Sequence, residues 1–532
     1  MANIVREPCD EGIIRASKAV AGCTEAQGRW ILAATILASS MAFIDGTVVN
    51  VALPSLQKNL NATAIDVQWV VEAYSLFLSA LLLVGGSLGD RYGRRLVFVI
   101  GVMVFAAASA ACGVAASINQ LILARAVQGI GAALLVPGSL AIISSSFEEH
   151  VRGKAIGTWS GFSAMTTAIG PVLGGWLIEN ISWRAVFFIN LPIAAAVIVI
   201  SFWRVPESRD QSQHGPLDWI GATLATVGLG GLVYGLIESS RLGFLQPAVI
   251  LSLVGGGVSL TLFVFNESRT QNPMLPLSLF RSRTFAGANL LTLLLYAALS
   301  GTFFFFTLNL IQVQGYTATE AGATLLPFVL IMFALSRWAG GLLDRFGARL
   351  PLIVGPVIAA AGFALFALPG LSAKYWTNYF PAVVVLGLGM AVSVAPLTTT
   401  VMTSVGEEKS GIASGINNAV ARTAGLLAIA ILGVVMLYTF SNTFEKKLGD
   451  IQVSEDVRHL LSEQRVKMAG IEVPSNLDME ARSQVEQVVA SSFLSGFRLI
   501  MFAASVLALG SALSSYLMIS PKKGIESGMH TS

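Results

Sequence analysis

The feature that most constrains this chain is a series of apolar runs, each about 20 residues long and separated by mostly short polar segments. A helix of that length crosses the hydrocarbon core of a bilayer. Because every backbone polar group in lipid must be satisfied within the protein, each run is predicted to be a helix. A mean hydropathy of +0.72 with only 12% charged residues excludes an ordinary soluble protein. We therefore predict an all-α integral membrane protein.

The runs fall into three groups, with about fourteen spans in total at the usual length criterion. This grouping predicts two six-helix bundles with two additional helices between them. The predicted segments are a cytoplasmic tail at 1–28, an N-terminal bundle at 29–204, linkers with two extra spans at 205–284, a C-terminal bundle at 285–518 that includes a long outer loop at 440–492, and a cytoplasmic tail at 519–532.

A short charged segment, GSLGDRYGRR at 86–95, lies between two of the apolar runs and is predicted to be a tight turn at a membrane face. A second copy of the same plan, GGLLDRFGAR, lies at 340–349. Two copies in one chain predict two related halves, as in transporters built from repeats. The first copy contributes Gly86, Gly89, Asp90, Arg91, Gly93, Arg94 and Arg95, and the second contributes Asp344, Arg345, Gly347 and Arg349.

Positive charge distinguishes the two faces of the predicted helix array. Lysines and arginines concentrate in the short loops on the side of the two charged turns, which predicts that this side is cytoplasmic and that both termini lie there. No basic patch with interleaved aromatic residues suggests nucleic acid binding. The three cysteines, Cys9, Cys23 and Cys112, form neither a disulfide framework nor a metal-binding spacing. We expect no metal site and no bound cofactor.

Ionisable residues inside membrane spans are functional candidates by default because burying a charge is costly. Asp45, Glu72 and Arg125 fall at a similar depth in the outer part of three different spans. Burial disfavours the charged form of a carboxylate, whereas a nearby arginine favours it, so a change in their separation would bind or release a proton. We predict that these three residues couple transport to protons. The alternatives are a structural ion pair for Asp45, exposure to the outer water for Glu72, and a helix-packing role for Arg125.

Candidate substrate contacts lie among aromatic and amide side chains. The ninth span is rich in phenylalanine, and Phe305 with Asn309 would contribute to an apolar pocket with few polar contacts. Gln128 and Asn417 are uncharged polar groups in other spans that could complete it. The alternatives are that the phenylalanines face lipid and that the amides form hydrogen bonds between helices.

Span five contains AIGPVLGG, with Gly170, Pro171 and Gly174. The proline removes a backbone hydrogen bond and permits a kink, and the two glycines permit close helix contact. A hinge role and a purely packing role remain equally open. No GxxxxGK[ST] loop and no HExxH motif occurs, which argues against a built-in ATPase or a zinc hydrolase.

These motifs resemble the major facilitator superfamily, specifically its fourteen-helix drug:proton antiporters of bacterial inner membranes. The resemblance covers residues 30–518 and is carried by IDGTVVNVALPSL (44–56), GSLGDRYGRR, LARAVQGIGAA (123–133), AIGPVLGG and WRAVFFINLPI (183–193). It implies that Asp45 is the acid of the first helix, that Arg125 takes part in proton movement, and that the charged turns and the helix-five motif gate the conformational change.

The sequence departs from that pattern at two points. Thr166 stands where the helix-five motif often has a glycine, four residues before Gly170. No extra embedded acid, of the kind that some relatives use for dicationic drugs, occurs in the C-terminal half, which disfavours polyvalent cations as substrates.

We therefore predict a proton-driven exporter of amphipathic, mostly apolar compounds that works by alternating access and is no enzyme. The expected partners are the lipid bilayer, a small-molecule substrate and protons, with a periplasmic adaptor left open. One alternative is a dedicated exporter of a single metabolite, lipid or siderophore. Another is a membrane receptor or accessory subunit that binds a partner through residues 440–492, for which a small cap over the outer face is the simpler interpretation.

Overall fold

The computed structural model describes residues 25–209, 218–271, 273–405, 409–474 and 477–520, and the regular secondary structure of those ranges is helical. Thirteen helical segments there are long and apolar enough to cross a membrane. Pro351–Phe366 is a further apolar helix of 16 residues. The predicted all-α membrane architecture with about fourteen spans is confirmed. Most of the predicted tails, at 1–24 and 521–532, lies outside the described residues.

The first bundle consists of five long helices and a sixth span that is broken once. Its elements are α1 (Glu25–Asn59), α2 (Ala64–Tyr92), α3 (Arg94–Val114), α4 (Ile118–Ser146), α5 (Glu149–Asn180), the short α6 (Ala185–Phe188) and α7 (Asn190–Arg204). The pair α8 (Trp219–Leu242) and α9 (Pro247–Arg269) follows as an antiparallel hairpin, and α8 packs against both α2 and the second bundle.

The second bundle is less regular, with several interrupted spans. Its elements are α10 (Arg283–Leu308), α11 (Ala318–Ala323), α12 (Leu326–Gly340), α13 (Leu342–Phe346), α14 (Pro351–Phe366), α15 (Phe380–Thr403), α16 (Ser410–Gly449), α17 (Glu455–Glu463) and α18 (Met479–Met518). A π-helical turn, Asn309–Val313, continues α10, and another, Tyr375–Tyr379, precedes α15.

The charged segment 86–95 is not a ten-residue turn, so that part of the prediction is wrong. Helix α2 continues through Gly86, Gly89, Asp90 and Arg91 to Tyr92, and α3 begins at Arg94. The reversal needs one residue, Gly93, whose φ of +122° is accessible mainly to glycine. The second copy behaves alike, since Gly347, with φ +70°, follows the short helix α13. We call the side of the molecule with these two reversals the turn face.

The charges of the first copy hold this reversal in place. Arg94 pairs with Asp90 one helical turn earlier at 2.8 Å, and Arg95 donates to the carbonyl of Val205 at 3.1 Å. The Glu207 carboxylate accepts from the backbone N–H groups of Arg95 at 3.0 Å and Leu96 at 3.1 Å. It therefore caps the first turn of α3, where backbone donors have no partner in their own helix.

We expect Glu207→Ala to lower the stability of the first bundle by about 1 kcal/mol, because an N-terminal cap and its favourable interaction with the helix dipole are lost. Thermal unfolding of the purified protein in detergent measures this as a lower midpoint. Glu472→Ala removes an exposed carboxylate elsewhere and serves as the control. Equal midpoints for the two variants would contradict the capping role.

The second copy contacts the last helix. Arg349 donates to the backbone carbonyl of Tyr516 at 2.5 Å and lies 4.6 Å from the centre of its ring. Arg345 is exposed, and the side chain of Asp344 lies outside the described residues. The gating role predicted for both copies remains a prediction.

The opposite side of the molecule carries a small cap. The predicted loop 440–492 is shorter than expected, because α16 extends to Gly449 and α18 already begins at Met479. The connection contains α17 and a 3₁₀ turn, Gln464–Gly470, and we call residues 450–474 the cap and this side the cap face. The Lys467 carbonyl accepts from Gln57 of α1 at 3.0 Å, so the cap, which belongs to the second bundle, reaches the first.

Candidate functional site

A buried ion pair lies in the cap-face half of the first bundle. Asp45 of α1 is 0% exposed and Arg125 of α4 is 1% exposed, and an Nη1 of the arginine lies 2.5 Å from Oδ2 of the aspartate. Helix α4 also packs closely against α2 at Gly129, where a Cβ would overlap the carbonyl oxygen of Tyr74. The close approach also lets Arg125 donate to the Val70 carbonyl at 3.1 Å and lie 4.2 Å from the Tyr74 ring centre.

Both charges receive further polar partners from neighbouring helices. Gln128 donates to the second oxygen of Asp45 at 2.8 Å and accepts from Arg125 at 2.7 Å. Asn190 of α7 lies 3.4 Å from that same oxygen and donates to the Ser109 hydroxyl of α3 at 3.0 Å. Five helices of the first bundle, α1, α2, α3, α4 and α7, therefore meet at one hydrogen-bonded network.

A pair so deeply buried is sensitive to the loss of either charge. Desolvation costs several kcal/mol per ion, roughly, and only the mutual attraction and the surrounding hydrogen bonds offset it. A proton on Asp45 would remove its negative charge and leave Arg125 with neutral partners. The arrangement can therefore convert protonation of one carboxyl group into a change in how α1 and α4 are held together.

Asn190, Ser109 and Tyr74 were not predicted as members of this network. Asn190 was the detectable one, since it is a buried amide inside the apolar run WRAVFFINLPI. The serine and the tyrosine carry no comparable signal, because such residues occur throughout the spans.

Glu72 lies at the depth of the ion pair but on another side of α2. The Tyr74 ring lies against Arg125, and the Glu72 side chain, two residues earlier, points roughly 200° around the helix from that of Tyr74. The Glu72 side chain is 0% exposed, and neither carboxylate oxygen has a hydrogen-bond partner among the described residues. Exposure to outer water, the alternative considered for Glu72, does not occur in this conformation.

The four predicted substrate contacts do not converge on one pocket. Gln128 belongs to the Asp45 network, whereas Asn417 of α16 donates to Asn289 and Thr292 of α10 at 2.9 and 2.8 Å. Its amide thus forms the helix–helix hydrogen bonds that were the alternative interpretation.

Asn309 and Phe305 lie inside the second bundle. Asn309 donates to the Tyr379 hydroxyl at 2.9 Å, and Phe305 is 1% exposed with its ring against Phe304. Phe305 therefore does not face lipid, because the consecutive aromatic rings pack between helices. A role for these residues in binding substrate remains a prediction.

The helix-five glycines bring α5 against two different helices. A Cβ at Gly174 would overlap the Val48 side chain of α1, and one at Gly170 would come within 2.5 Å of Thr47 Oγ1. On another side, a Cβ at Gly175 would overlap the backbone of Thr319, and one at Gly322 would overlap the carbonyl of Pro171. The motif therefore serves packing within the first bundle and also contact with α11 and its flank in the second.

Polar contacts join the two bundles in the cap-face half of the molecule. Glu179 at the end of α5 accepts from the backbone N–H and the hydroxyl of Thr319, both at 2.8 Å. Gln312 donates to Gln57 at 2.7 Å, and the cap adds Lys467, which donates to Asn61 at 2.8 Å. Together with the glycine contacts of α5, these bonds close the cap face.

We expect Glu179→Ala to weaken this closure by about 1 kcal/mol, since the two lost hydrogen bonds are charge-assisted but exposed to water. The ratio of closed to open molecules should fall about fivefold. Spin labels on cysteines introduced at Lys58 and Lys374, at the cap-face ends of the two bundles, report the distance. Asn180→Ala, a change at the next residue, should leave the distribution unchanged; an equal shift in both variants would refute the specific role of Glu179.

Among the described residues, no group of three or more His, Cys, Asp or Glu side chains is placed to hold a metal ion.

Comparison with known proteins assigns the chain to a large group of transporters. A model of the Major Facilitator Superfamily matches residues 35–430. The multidrug resistance protein Stp of Mycobacterium tuberculosis is 35% identical over 487 residues, which are 89% of this chain and 89% of that protein. The tetracenomycin C resistance and export protein of Streptomyces glaucescens is 31% identical over 484 residues, or 90% of each chain.

Solved structures agree on the fold. The crystal structure of a bacterial homolog of the human lysosomal transporter Spinster, in an inward-facing and unoccupied conformation, matches with a TM-score of 0.63. The match covers 93% of this chain and 98% of that one at 17% identity. At that identity the likeness concerns the arrangement of helices alone.

Proposed function

Because this chain belongs to the Major Facilitator Superfamily, we propose that it is a proton-driven exporter of amphipathic and hydrophobic small molecules. The names of its relatives, which refer to multidrug resistance and to antibiotic export, support the direction of transport and the breadth of substrates. The two bundles rock against each other to alternate access, and the proton gradient supplies the energy without a bound cofactor.

The single observation that carries the proton coupling is the buried pair of Asp45 and Arg125 with its shared partner Gln128. Asp45 binds the proton. Protonation removes the charge that holds Arg125, and the arginine then depends on the neutral Val70 carbonyl and Gln128. Because the pair joins α1 to α4, its strength shifts the relative stability of the two arrangements of the first bundle, and the proton and the conformation bias each other.

The charge of the interior favours neutral or singly charged substrates. In the described part of the second bundle no carboxylate is buried, and the first bundle uses its buried aspartate in an ion pair. A polyvalent cation would find no buried acid in the described part of the second bundle to compensate its charge. Amphipathic compounds of low charge therefore fit the interior best.

The orientation follows from the positive charges of the short loops. The turn face lies in the cytoplasm with both termini, and the cap lies on the outer side of the bacterial cytoplasmic membrane. Drug molecules enter from the turn face when the cap face is closed, as it is here, and leave when the cap face opens.

Inverted membrane vesicles test the proposal directly. Vesicles that contain the protein should accumulate several structurally unrelated fluorescent drugs when the lumen is acidified, and a protonophore should stop the accumulation. Vesicles with Asp45→Asn protein at equal abundance are the control. Accumulation of one compound alone would favour a dedicated exporter, and accumulation that survives the protonophore would overturn proton coupling.

A further inference from the structure

Glu72 is buried at the meeting point of three helices, away from the Asp45 network. One turn before it, Gln68 donates to the Ile429 carbonyl of α16 at 2.9 Å, and Trp69 donates to Glu238 of α8 at 3.0 Å. One turn after it, Leu76 lies against Gly230 of α8. Helices α2, α8 and α16 therefore enclose the Glu72 side chain, and we call this place the seam.

The seam is also a boundary between the bundles. Helix α2 belongs to the first bundle and α16 to the second, and they meet again at Leu83 and Gly415 towards the turn face. Helix α8, one of the two additional helices, contributes Leu229, Val233 and Ile237 to the same buried apolar cluster as Val67 and Ile429. Leu229, Val233 and Ile237 are buried and follow one another at intervals of four residues, so α8 presents an apolar face inside the protein here.

Neighbouring charges are either engaged elsewhere or placed at other levels. On α4, Arg125 is bonded to Asp45 and Val70, and on α8, Glu238 is bonded to Trp69 and Arg241. Other charged groups near this level include Arg422 of α16, half-buried about one turn towards the turn face by helical spacing. At the cap-face end, Lys467 of the cap is bonded to Asn61, and Asp66 is bonded to Thr63. Apart from Asp45, the charges of α1 and α3 and those at the far end of α16 lie near the ends of these helices.

A carboxylate in such a place cannot hold its charge. Both oxygens are buried and neither accepts a hydrogen bond from a described residue, so ionisation would carry an uncompensated penalty of several kcal/mol, roughly. With a proton bound, the group is neutral and this penalty disappears. When the cap face opens, α2 and α16 separate at the Gln68–Ile429 contact, water reaches the group, and an exposed glutamate is ionised at neutral pH.

We infer that Glu72 is a second proton-binding site, distinct from Asp45, and that it must take up a proton from the cap-face side before the cap face can close. The inference rests on the proposed proton-driven transport and adds a residue and a direction to it. The reaction is a simple protonation: the carboxylate in the open seam binds one hydrogen ion from the water and becomes a neutral carboxylic acid as the seam closes.

Linkage fixes the sign of the effect. At Glu72 the closed form binds one proton more than the open form, so through this residue lower pH favours closure and higher pH favours opening. While Glu72 is the responding group, the closed-to-open ratio rises up to about tenfold for each unit by which the pH falls.

The experiment uses the full-length protein in lipid nanodiscs with spin labels at Lys58→Cys and Lys374→Cys, and with Cys9 and Cys23 replaced by serine. The wild-type distance distribution should shift towards the closed form as the pH is lowered from 8 to 5. Glu72→Gln, a neutral isostere, should favour the closed form and lose the Glu72 part of this response, so that its pH slope differs from that of the wild type, whereas Glu72→Asp should keep the wild-type slope. A wild-type distribution that ignores pH, or a Glu72→Gln variant with the wild-type slope, overturns the inference.

A matched control lies on the same face of α2. Ser79 is two turns from Glu72, is buried, and has a hydroxyl without a hydrogen-bond partner among the described residues. Ser79→Ala should retain the full pH response. If this variant lost the response, the pH dependence would reflect packing of the seam, and the role of the Glu72 carboxyl group would be overturned. The vesicle assay of Asp45→Asn does not depend on these spin-label results. If Glu72 does not respond to pH, the proposed proton-driven export therefore still stands, and a failure of that proposal would appear in the vesicle assay.

Discussion

Asp45→Asn should abolish proton-driven accumulation of drugs in inverted vesicles, down to the level of vesicles without the protein. Asparagine has nearly the same shape as aspartate, but its single carbonyl oxygen can replace only one of the two oxygens that accept from Arg125 and Gln128, and it cannot bind and release a proton at any accessible pH. The variant also leaves Arg125 buried without its counter-charge. Loss of one partner of a buried pair costs about 3–5 kcal/mol of stability.

Stability and coupling can be separated with a double variant. In Asp45→Asn combined with Arg125→Gln, both charges of the pair are gone and the unpaired-charge penalty disappears. The melting midpoint should therefore recover much of what the single variant loses, whereas proton-driven transport should remain absent. Transport that returns together with the midpoint would show that the pair is structural and that another group carries the proton.

Gly175→Ala should prevent the cap face from closing as it does here. The added Cβ would overlap the backbone of Thr319 in the other bundle, and backbone cannot move aside as a flexible side chain can. Overpacking of this kind costs about 1–3 kcal/mol, which would lower the closed-to-open ratio by roughly five- to 150-fold. The label pair at Lys58 and Lys374 measures the shift, and export should fall because the transporter rarely returns to the form that admits drug from the turn face.

Gly255→Ala is the control for this prediction. Gly255 lies on α9, where an added Cβ meets no atom within 4 Å. Both variants exchange a helical glycine for alanine and so have the same effect on helix propensity. If both were equally impaired, the contact between α5 and α11 would not be what limits closure.

The seam gives the additional hairpin a physical role beyond the count of spans. Without α8, the side of Glu72 that faces away from the bundles would meet lipid or interfacial water. With α8 held against α2, as by the Trp69–Glu238 hydrogen bond, we expect the protonation of Glu72 to depend on whether α2 and α16 are together. An additional helix can in this way make a carboxyl group respond to conformation.

The sequence by itself determined the architecture, because the bilayer imposes one length and one polarity on every span. Apolar runs of about 20 residues can only be satisfied as helices there, so their number follows from the printed chain. The same reasoning identified Asp45 and Arg125, since a charge inside a span is too costly to be incidental. The sequence also indicated a chain reversal that includes Gly93, but not its length. The helix continues through the charged residues to Tyr92, and Asp90 pairs with Arg94 at the turn face.

Only the tertiary structure decided how those residues are distributed among sites. Equal depth suggested that Asp45, Glu72 and Arg125 act together, but depth is one coordinate, and the rotation of α2 turns Glu72 towards the second bundle. Gln128 and Asn417 could not be told apart from the sequence, since both are amides inside spans. In the structure Gln128 binds Asp45, whereas Asn417 forms a hydrogen bond between two helices. Spacing along a helix fixes height and face, whereas the identity of the neighbour on that face depends on long-range packing that no local pattern encodes.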